Sequence, residues 1–209
     1  MKYFIGLNFQ QDFLHFKKIH SFKGCFDSKY SQGPGLYIGL LKPFFLRQNI
    51  VIDNIVRELT DEIDFHFDLN QSLKINFNGI EVKGGKKKKL FLKAPLPNEL
   101  KPVIESLEKF LAKKEVGTRQ TEKAKNIFNI DTSLLLPIGR FYWDYDLQNG
   151  VAAAKNQWDT SFELQIKGLG LYEKVQGKWL LKRQLWNFPY VKRREEASFE
   201  SHWSLSGEL

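Results

Sequence analysis

Helix-like and strand-like segments follow one another irregularly along this chain, and that order limits the folds open to it. Residues 98–114 repeat apolar side chains at spacings of three and four, as a helix does, whereas residues 162–166 alternate apolar with polar, as a strand does. The full order is strand, helix, strand, helix, two strands, helix and several strands. Because no regular βαβ unit repeats, the pattern predicts an α+β fold rather than a doubly wound parallel sheet. The segments are strands at 2–9, 36–41, 73–82, 90–92, 133–145, 162–166 and 179–181, and helices at 10–24, 49–64 and 98–114.

Turn and capping residues mark the ends of several of these segments. Gly84 and Gly85, with a lysine run, separate two strand-like segments and predict a hairpin turn. Asn149-Gly150 and Gln176-Gly177 are typical of turns as well. Asn98 has the side chain of an N-cap for the helix at 98–114.

The composition excludes several classes of protein. Hydrophobic residues make up 42% of the 209 residues and aromatics 14%, too much apolar mass for an intrinsically disordered chain. The frequent aromatics exclude a coiled coil, and no apolar run reaches the ~18–20 residues that cross a bilayer. The single cysteine, Cys25, excludes an internal disulfide and a site with several cysteine ligands. The apolar stretch in the first residues is too short for a signal peptide. We therefore expect a soluble, cytoplasmic, monomeric protein of one domain, 1–209, with no membrane contact, metal or cofactor.

Two apolar segments about half a chain apart have a similar residue pattern. One is Tyr37-Ile38-Gly39-Leu40-Leu41-Lys42-Pro43-Phe44, and the other is Leu135-Leu136-Pro137-Ile138-Gly139-Arg140-Phe141. Here the chain resembles the 2H phosphoesterase superfamily, which includes LigT-like RNA 2′,5′-ligases and cyclic nucleotide phosphodiesterases. That family carries His-apolar-Thr/Ser-apolar on two strands, the first often continuing to Pro-Phe and the second to Arg. The layout of the chain is similar to that family over residues 1–188, which leaves 189–209 as a C-terminal tail. The resemblance implies a bilobal fold, with two antiparallel sheets around a central cleft and helices outside.

The chemistry of that family is not carried over. Tyr37 and Gly39 stand where the first motif has His and Thr or Ser, and Leu135 and Pro137 stand at the same places of the second motif, aligned on Arg140. Thr132 and Ser133, slightly upstream, are candidates for displaced polar residues. The four histidines lie in neither segment: His15, His20, His66 and His202.

The resemblance implies two histidines, acting as general base and general acid on a phosphodiester. Imidazole suits both tasks near neutral pH, whereas tyrosine is a poor base and leucine does neither. We therefore expect a degenerate 2H-like protein that binds a nucleotide, RNA or a protein partner without efficient catalysis. The alternative is an active 2′,3′-cyclic phosphodiesterase or RNA 2′,5′-ligase-like enzyme that uses substituted cleft residues.

Each candidate binding residue has an ordinary structural explanation beside the functional one. Tyr37 either stacks on a nucleobase or is an ordinary aromatic residue of the sheet. Arg140 either binds a phosphate through its guanidinium or forms an ion pair with a carboxylate. The net charge of +8 suits a polyanion partner. Its densest part, Lys83–Lys89, is a phosphate-binding run or a solvated turn. The aromatic residues near the second motif either stack bases or pack in the core. The candidate ligand-binding set is Tyr37, Lys42, Thr132, Ser133, Arg140 and Tyr142.

Overall fold

A computed structural model describes residues 1–11, 13–27, 36–46, 51–67, 72–114 and 133–189 of the chain. In these ranges it contains four helices and nine strands. The helices are α1 (Phe13–Phe26), α2 (Ile52–Asp64), α3 (Leu100–Lys113) and α4 (Asp144–Gln157). The strands are β1 (Lys2–Phe9), β2 (Tyr37–Gly39), β3 (Phe44–Phe45), β4 (Lys74–Phe77), β5 (Gly79–Lys83), β6 (Lys88–Pro95), β7 (Ser133–Phe141), β8 (Phe162–Val175) and β9 (Lys178–Asn187).

The larger sheet has six strands, built around β1 and β8. β8 pairs with β1, β4 and β9, and β1 pairs with β2 and β3, all antiparallel. β1 is buried on both faces, as its apolar pattern predicts. Tyr3, Ile5, Leu7 and Phe9 join the main core, while Phe4 lies on the opposite face.

The smaller sheet has three antiparallel strands in the order β5–β6–β7. The hairpin at Gly84–Gly85 is confirmed: Gly84 has a φ of 116°, and a Cβ there would lie 2.4 Å from the Lys87 carbonyl oxygen. The single strand expected at 73–82 is wrong, because Asn78 interrupts it. β4 pairs with β8, and β5 turns into the other sheet to pair with β6.

The helices cover the core, and the amphipathic pattern locates two of them well. α2 buries Ile55, Leu59 and Ile63, and α3 buries Leu100, Val103, Ile104 and Leu107. α3 begins later than expected, and Asn98 is not its N-cap. Glu99 holds that position without a side-chain hydrogen bond, while the Asn98 Oδ1 atom accepts from Lys101 Nζ at 2.9 Å.

The helix α4 contradicts the expectation for residues 142–150. The strand ends at Phe141, and Asn149-Gly150 lies inside a helix rather than in a turn. Gly150 is buried where a Cβ would lie 2.4 Å from the Phe141 ring, so this glycine lets the helix approach the sheet. The following Ala152, Ala153 and Ala154 are strong helix formers.

The expected fold class is confirmed: the protein is α+β, with two antiparallel sheets and helices. One hydrophobic cluster takes side chains from both sheets and from the helices. The turn at Gln176–Gly177 is confirmed between β8 and β9. No described helix is long and apolar enough to cross a membrane. Thr132, His202 and nearly all of the tail at 189–209 lie outside the described residues.

Candidate ligand-binding site

The two strands that carry the motif-like segments meet where the sheets approach each other. β2, at one edge of the six-stranded sheet, contacts β7, at one edge of the three-stranded sheet. Tyr37 on β2 is half-buried and lies close enough to Arg140 on β7 for the guanidinium to act on its phenol. Burial raises the pKa of Tyr37, Arg140 lowers it, and Asp27 raises it again, with a net increase. Tyr37 is therefore a protonated phenol at neutral pH.

Aromatic rings cover the sheet face on which Tyr37 lies. The Phe4 ring stacks on Tyr172 at 4.7 Å between centroids and contacts the rings of Tyr37 (5.4 Å) and Trp179 (4.7 Å). Tyr37 also lies 5.0 Å from Tyr172. The rings pack beside Gly39, where a Cβ would meet the Phe4 ring at an ordinary 3.6 Å. This part of the face is packed with aromatic rings, and the hydroxyls among the rings named here belong to Tyr37 and Tyr172.

Charged side chains gather at the other side of Tyr37, where α1 ends against β7. Asp27 forms an isolated parallel bridge with Arg140, and its Oδ1 atom lies 3.9 Å from Arg140 Nε. Burial lowers the pKa of Lys23, with Asp27 raising it and Arg140 lowering it further. Lys23, Asp27 and Arg140 therefore act on one another at this place. In the described part of the chain, the buried Arg140 Nε has no hydrogen-bond partner.

A pocket of about 410 Å³ opens beside this cluster. The end of α1 forms one wall, and the end of β7 with the start of α4 forms the other. Trp143 and Tyr142 are exposed at its rim, at 73% and 42%. Asp146 and Asn149, one helical turn apart on α4, place polar groups at the same pocket. Its lining thus combines a guanidinium, aromatic rings and hydrogen-bond acceptors.

The remaining candidate residues are distributed over several places. Ser133 is the first residue of β7, opposite Pro95, and Leu135 and Pro137 are half-buried positions further along the strand. Lys42 is exposed and acts on Glu108 of α3. Burial and the nearby Glu105 raise the pKa of Glu108, and Lys42 lowers it. Of the six candidate binding residues, Arg140 and Tyr142 line the pocket, and Tyr37 lies near Arg140.

The histidines in the described ranges are not on the motif strands. His15 stacks on Phe162 at 4.8 Å, and His66 makes an edge contact with Phe65. His20 packs against Phe16 on α1; burial lowers its pKa, and Lys23 lowers it further. No group of three or more His, Cys, Asp or Glu side chains suited to a metal occurs in the part of the chain that the structure describes.

Sequence reasoning missed the contribution of α1. Lys23 and Asp27 are four residues apart, and His20 is three residues before Lys23, so all three follow one face of α1, a helix that contacts β7. That spacing is visible in the sequence. The sequence does not show which face of α1 meets β7, because apolar residues surround the charged ones: Phe16, Ile19, Phe22 and Phe26.

The comparisons with known proteins give a likeness in layout. No protein-family model matches the chain, and no curated protein matches its sequence. Among solved structures, the chain is similar to Usb1 of Kluyveromyces marxianus, at 14% identity and a TM-score of 0.45 over 86% of this chain and 96% of that one. It is similar to the same protein with uridine monophosphate, at 14% identity and a TM-score of 0.44 over the same shares. At this distance, function has to be argued from the site itself.

Proposed function

We propose that this protein binds a nucleotide, free or as a unit of RNA, beside Arg140, and that it does so without efficient phosphodiester cleavage. The observation that carries the proposal is the buried Arg140 Nε without a hydrogen-bond partner among the described residues, next to an open pocket. A buried donor without a partner costs about 1–3 kcal/mol. A phosphate oxygen would satisfy it, and the guanidinium fork matches oxyanions.

Two basic groups lie close together at Arg140. Lys23 adds a second cation to the cluster; burial is the main cause that lowers its pKa, Asp27 raises it, and Arg140 lowers it further. Asp27 lies 3.9 Å from Arg140 and also acts on Lys23, and Asp146 adds a second carboxylate to the lining of the pocket. A phosphate at Arg140 would accept hydrogen bonds from the guanidinium and offset the repulsion that Arg140 exerts on Lys23.

The rest of the pocket suits a nucleobase. Trp143 offers an exposed indole for stacking, which is worth about 1–3 kcal/mol per base in single-strand binding. Asp146 and Asn149 supply acceptors for the amino or imino groups on a base edge. The pocket volume of about 410 Å³ lies in the range of small-ligand sites.

The residues at the motif positions argue against family-like catalysis. A general acid or base contributes roughly 10²–10⁴-fold to a rate. Tyr37 has a raised pKa and cannot serve as a base near pH 7, and Leu135 and Pro137 have no titratable group.

Equilibrium binding of AMP and adenosine tests the proposal. AMP should bind more tightly than adenosine, and Arg140→Gln should remove about 10-fold or more of the AMP affinity, as expected for a charge-assisted hydrogen bond. Adenosine affinity should stay the same in that variant. Lys109→Gln, an exposed change on α3, is the matched control. Equal affinity for AMP and adenosine in the unmodified protein would overturn the proposal.

A turnover assay separates binding from the enzymatic alternative. We expect no hydrolysis of 2′,3′-cyclic AMP above a buffer blank in the absence of metal. His20→Asn belongs in the same assay, because its lowered pKa leaves a neutral imidazole one turn from Lys23. Turnover that disappears in Tyr37→Phe, Arg140→Gln or His20→Asn would establish an enzyme with a rebuilt cleft.

A further inference from the structure

Three cations form a row across the smaller sheet. Lys83 on β5 pairs in register with Lys89 on β6, and Lys89 pairs with Arg140 on β7. Directly opposed residues of antiparallel strands project from the same face, about 5 Å from strand to strand. The register therefore aligns Lys83, Lys89 and Arg140 side by side, the last of them at the pocket.

Such a row is unfavourable without a counter-charge. Like charges directly opposite each other destabilise a sheet. Glu81 balances the outer end, with Lys83 Nζ at 3.1 Å and Lys93 Nζ at 3.0 Å from its carboxylate. Lys89 has no ion pair within the described ranges and is exposed. An uncompensated cation therefore lies beside Arg140, between the hairpin and the pocket.

The hairpin turn is continuous with the aromatic rim of the pocket. Lys87 Nζ lies 5.4 Å from the centroid of the Tyr142 ring, and Lys88 pairs with Asp144 at the start of α4. These contacts hold the lysine turn against the segment that carries Tyr142 and Trp143. A turn serving only solubility needs neither this attachment nor a cross-strand alignment of its cations with Arg140.

We propose that the row Lys83–Lys89–Arg140 binds the backbone of a single-stranded nucleic acid while one of its nucleotides occupies the pocket. This inference rests on the proposed function and extends the ligand from a nucleotide to a chain. The row covers about 10 Å over three strands, which is about three nucleotide steps of a stacked strand at ~3.4 Å per step. A single strand fits because a base that enters an aromatic pocket must be unpaired.

Binding of a five-nucleotide RNA and of AMP, each at several salt concentrations, tests the row. The RNA should bind more tightly than AMP, and its affinity should fall more steeply with salt. Lys89→Gln should reduce the slope of log K against log salt by about 0.7, the value for one phosphate contact in a single strand. AMP affinity should stay unchanged in this variant, and Lys109→Gln should change neither ligand.

The outcomes separate the row from the pocket. RNA affinity and salt slope that are the same in Lys89→Gln as in Lys109→Gln would overturn the row, as would RNA that binds no more tightly than AMP. If the parent protein binds the RNA with a steep salt dependence but does not bind AMP, the pocket assignment is overturned instead. Urea unfolding provides the folding control: Lys89→Gln removes a like-charge neighbour of Arg140, so the free energy of unfolding should be equal or higher. Lys83→Gln repeats the test from the other end of the row.

Discussion

Arg140 lies at the contact of four elements, and its surroundings distinguish a ligand-binding role from a structural one. It bridges to the residue after α1, pairs with Lys89 of β6 and lies near Tyr37 of β2. Its only ion pair in the described part of the chain is the 3.9 Å contact between Nε and Asp27. A contact that long is weak compared with the charge-assisted hydrogen bonds of ~2.7–2.9 Å that stabilise ion pairs.

Arg140→Met tests which role dominates. This change removes a buried donor that has no hydrogen-bond partner among the described residues, together with a cation beside Lys23 and Lys89, and it retains apolar length. The free energy of unfolding in urea should change by less than about 1 kcal/mol, or increase, while AMP binding is lost. A loss of about 2 kcal/mol or more would identify Arg140 and Asp27 as a structural pair instead.

Two paired glycines differ in the space around them. Gly6 and Gly39 are register partners on β1 and β2. A Cβ on Gly6 would lie 2.6 Å from the Ile38 carbonyl oxygen, whereas one on Gly39 meets nothing closer than 3.6 Å. Gly6→Ala should therefore lower the free energy of unfolding by about 1–3 kcal/mol, the usual cost of overpacking. Gly39→Ala should stay within about 0.5 kcal/mol of the parent. Similar losses in both variants would contradict the packing described for the Phe4 face.

At the scale of elements, the sequence predicts what local periodicity controls. β1 and α2 follow their apolar spacing closely, and the Gly84 turn follows from its backbone requirement. The break at Asn78 was not predictable, because residues 73–82 keep one alternation while their partners change from β8 to β6. α4 was missed because an Asn-Gly pair suggests a turn, and only the packing of Gly150 on Phe141 explains its place in a helix.

Two helical glycines should respond to alanine in opposite directions. Gly150 in α4 has the Phe141 ring 2.4 Å from its Cβ position, while Gly24 in α1 has nothing within 4 Å. Gly150→Ala should displace α4 and lower the free energy of unfolding by about 1–3 kcal/mol. Gly24→Ala should raise it by about 0.4–1 kcal/mol, because alanine limits the unfolded chain without a clash. Thermal or urea unfolding measures both, and a stabilised Gly150→Ala would show that α4 does not depend on this close approach.

For the whole molecule, the resemblance implies two sheets around a cleft, but the sequence could not decide whether the two motif strands face each other. β2 and β7 do meet, and Arg140 does lie near Tyr37. The pocket was not predictable, because it depends on how α1 and α4 pack against β7 over a long sequence separation. The net charge of +8 likewise says nothing about a row of cations until the register of β5, β6 and β7 is known.

Stability in alkali reports on the buried phenols of the larger sheet. Burial is the main cause that raises the pKa of Tyr3, Tyr37 and Tyr172, so each phenol stays neutral in the folded protein after the unfolded chain, with a pKa near 10, has ionised. The unfolded state then binds fewer protons than the folded state, and the free energy of unfolding decreases as pH rises above about 10. Each such tyrosine contributes up to ~1.4 kcal/mol per pH unit to that decrease.

Urea unfolding between pH 9 and 11 should therefore show a shallower decrease in Tyr172→Phe than in the parent, whereas Tyr145→Phe, at a residue 73% exposed, should leave the slope unchanged. Equal slopes in both variants would mean that the Tyr172 hydroxyl reaches solvent and that the aromatic face beside the site is open.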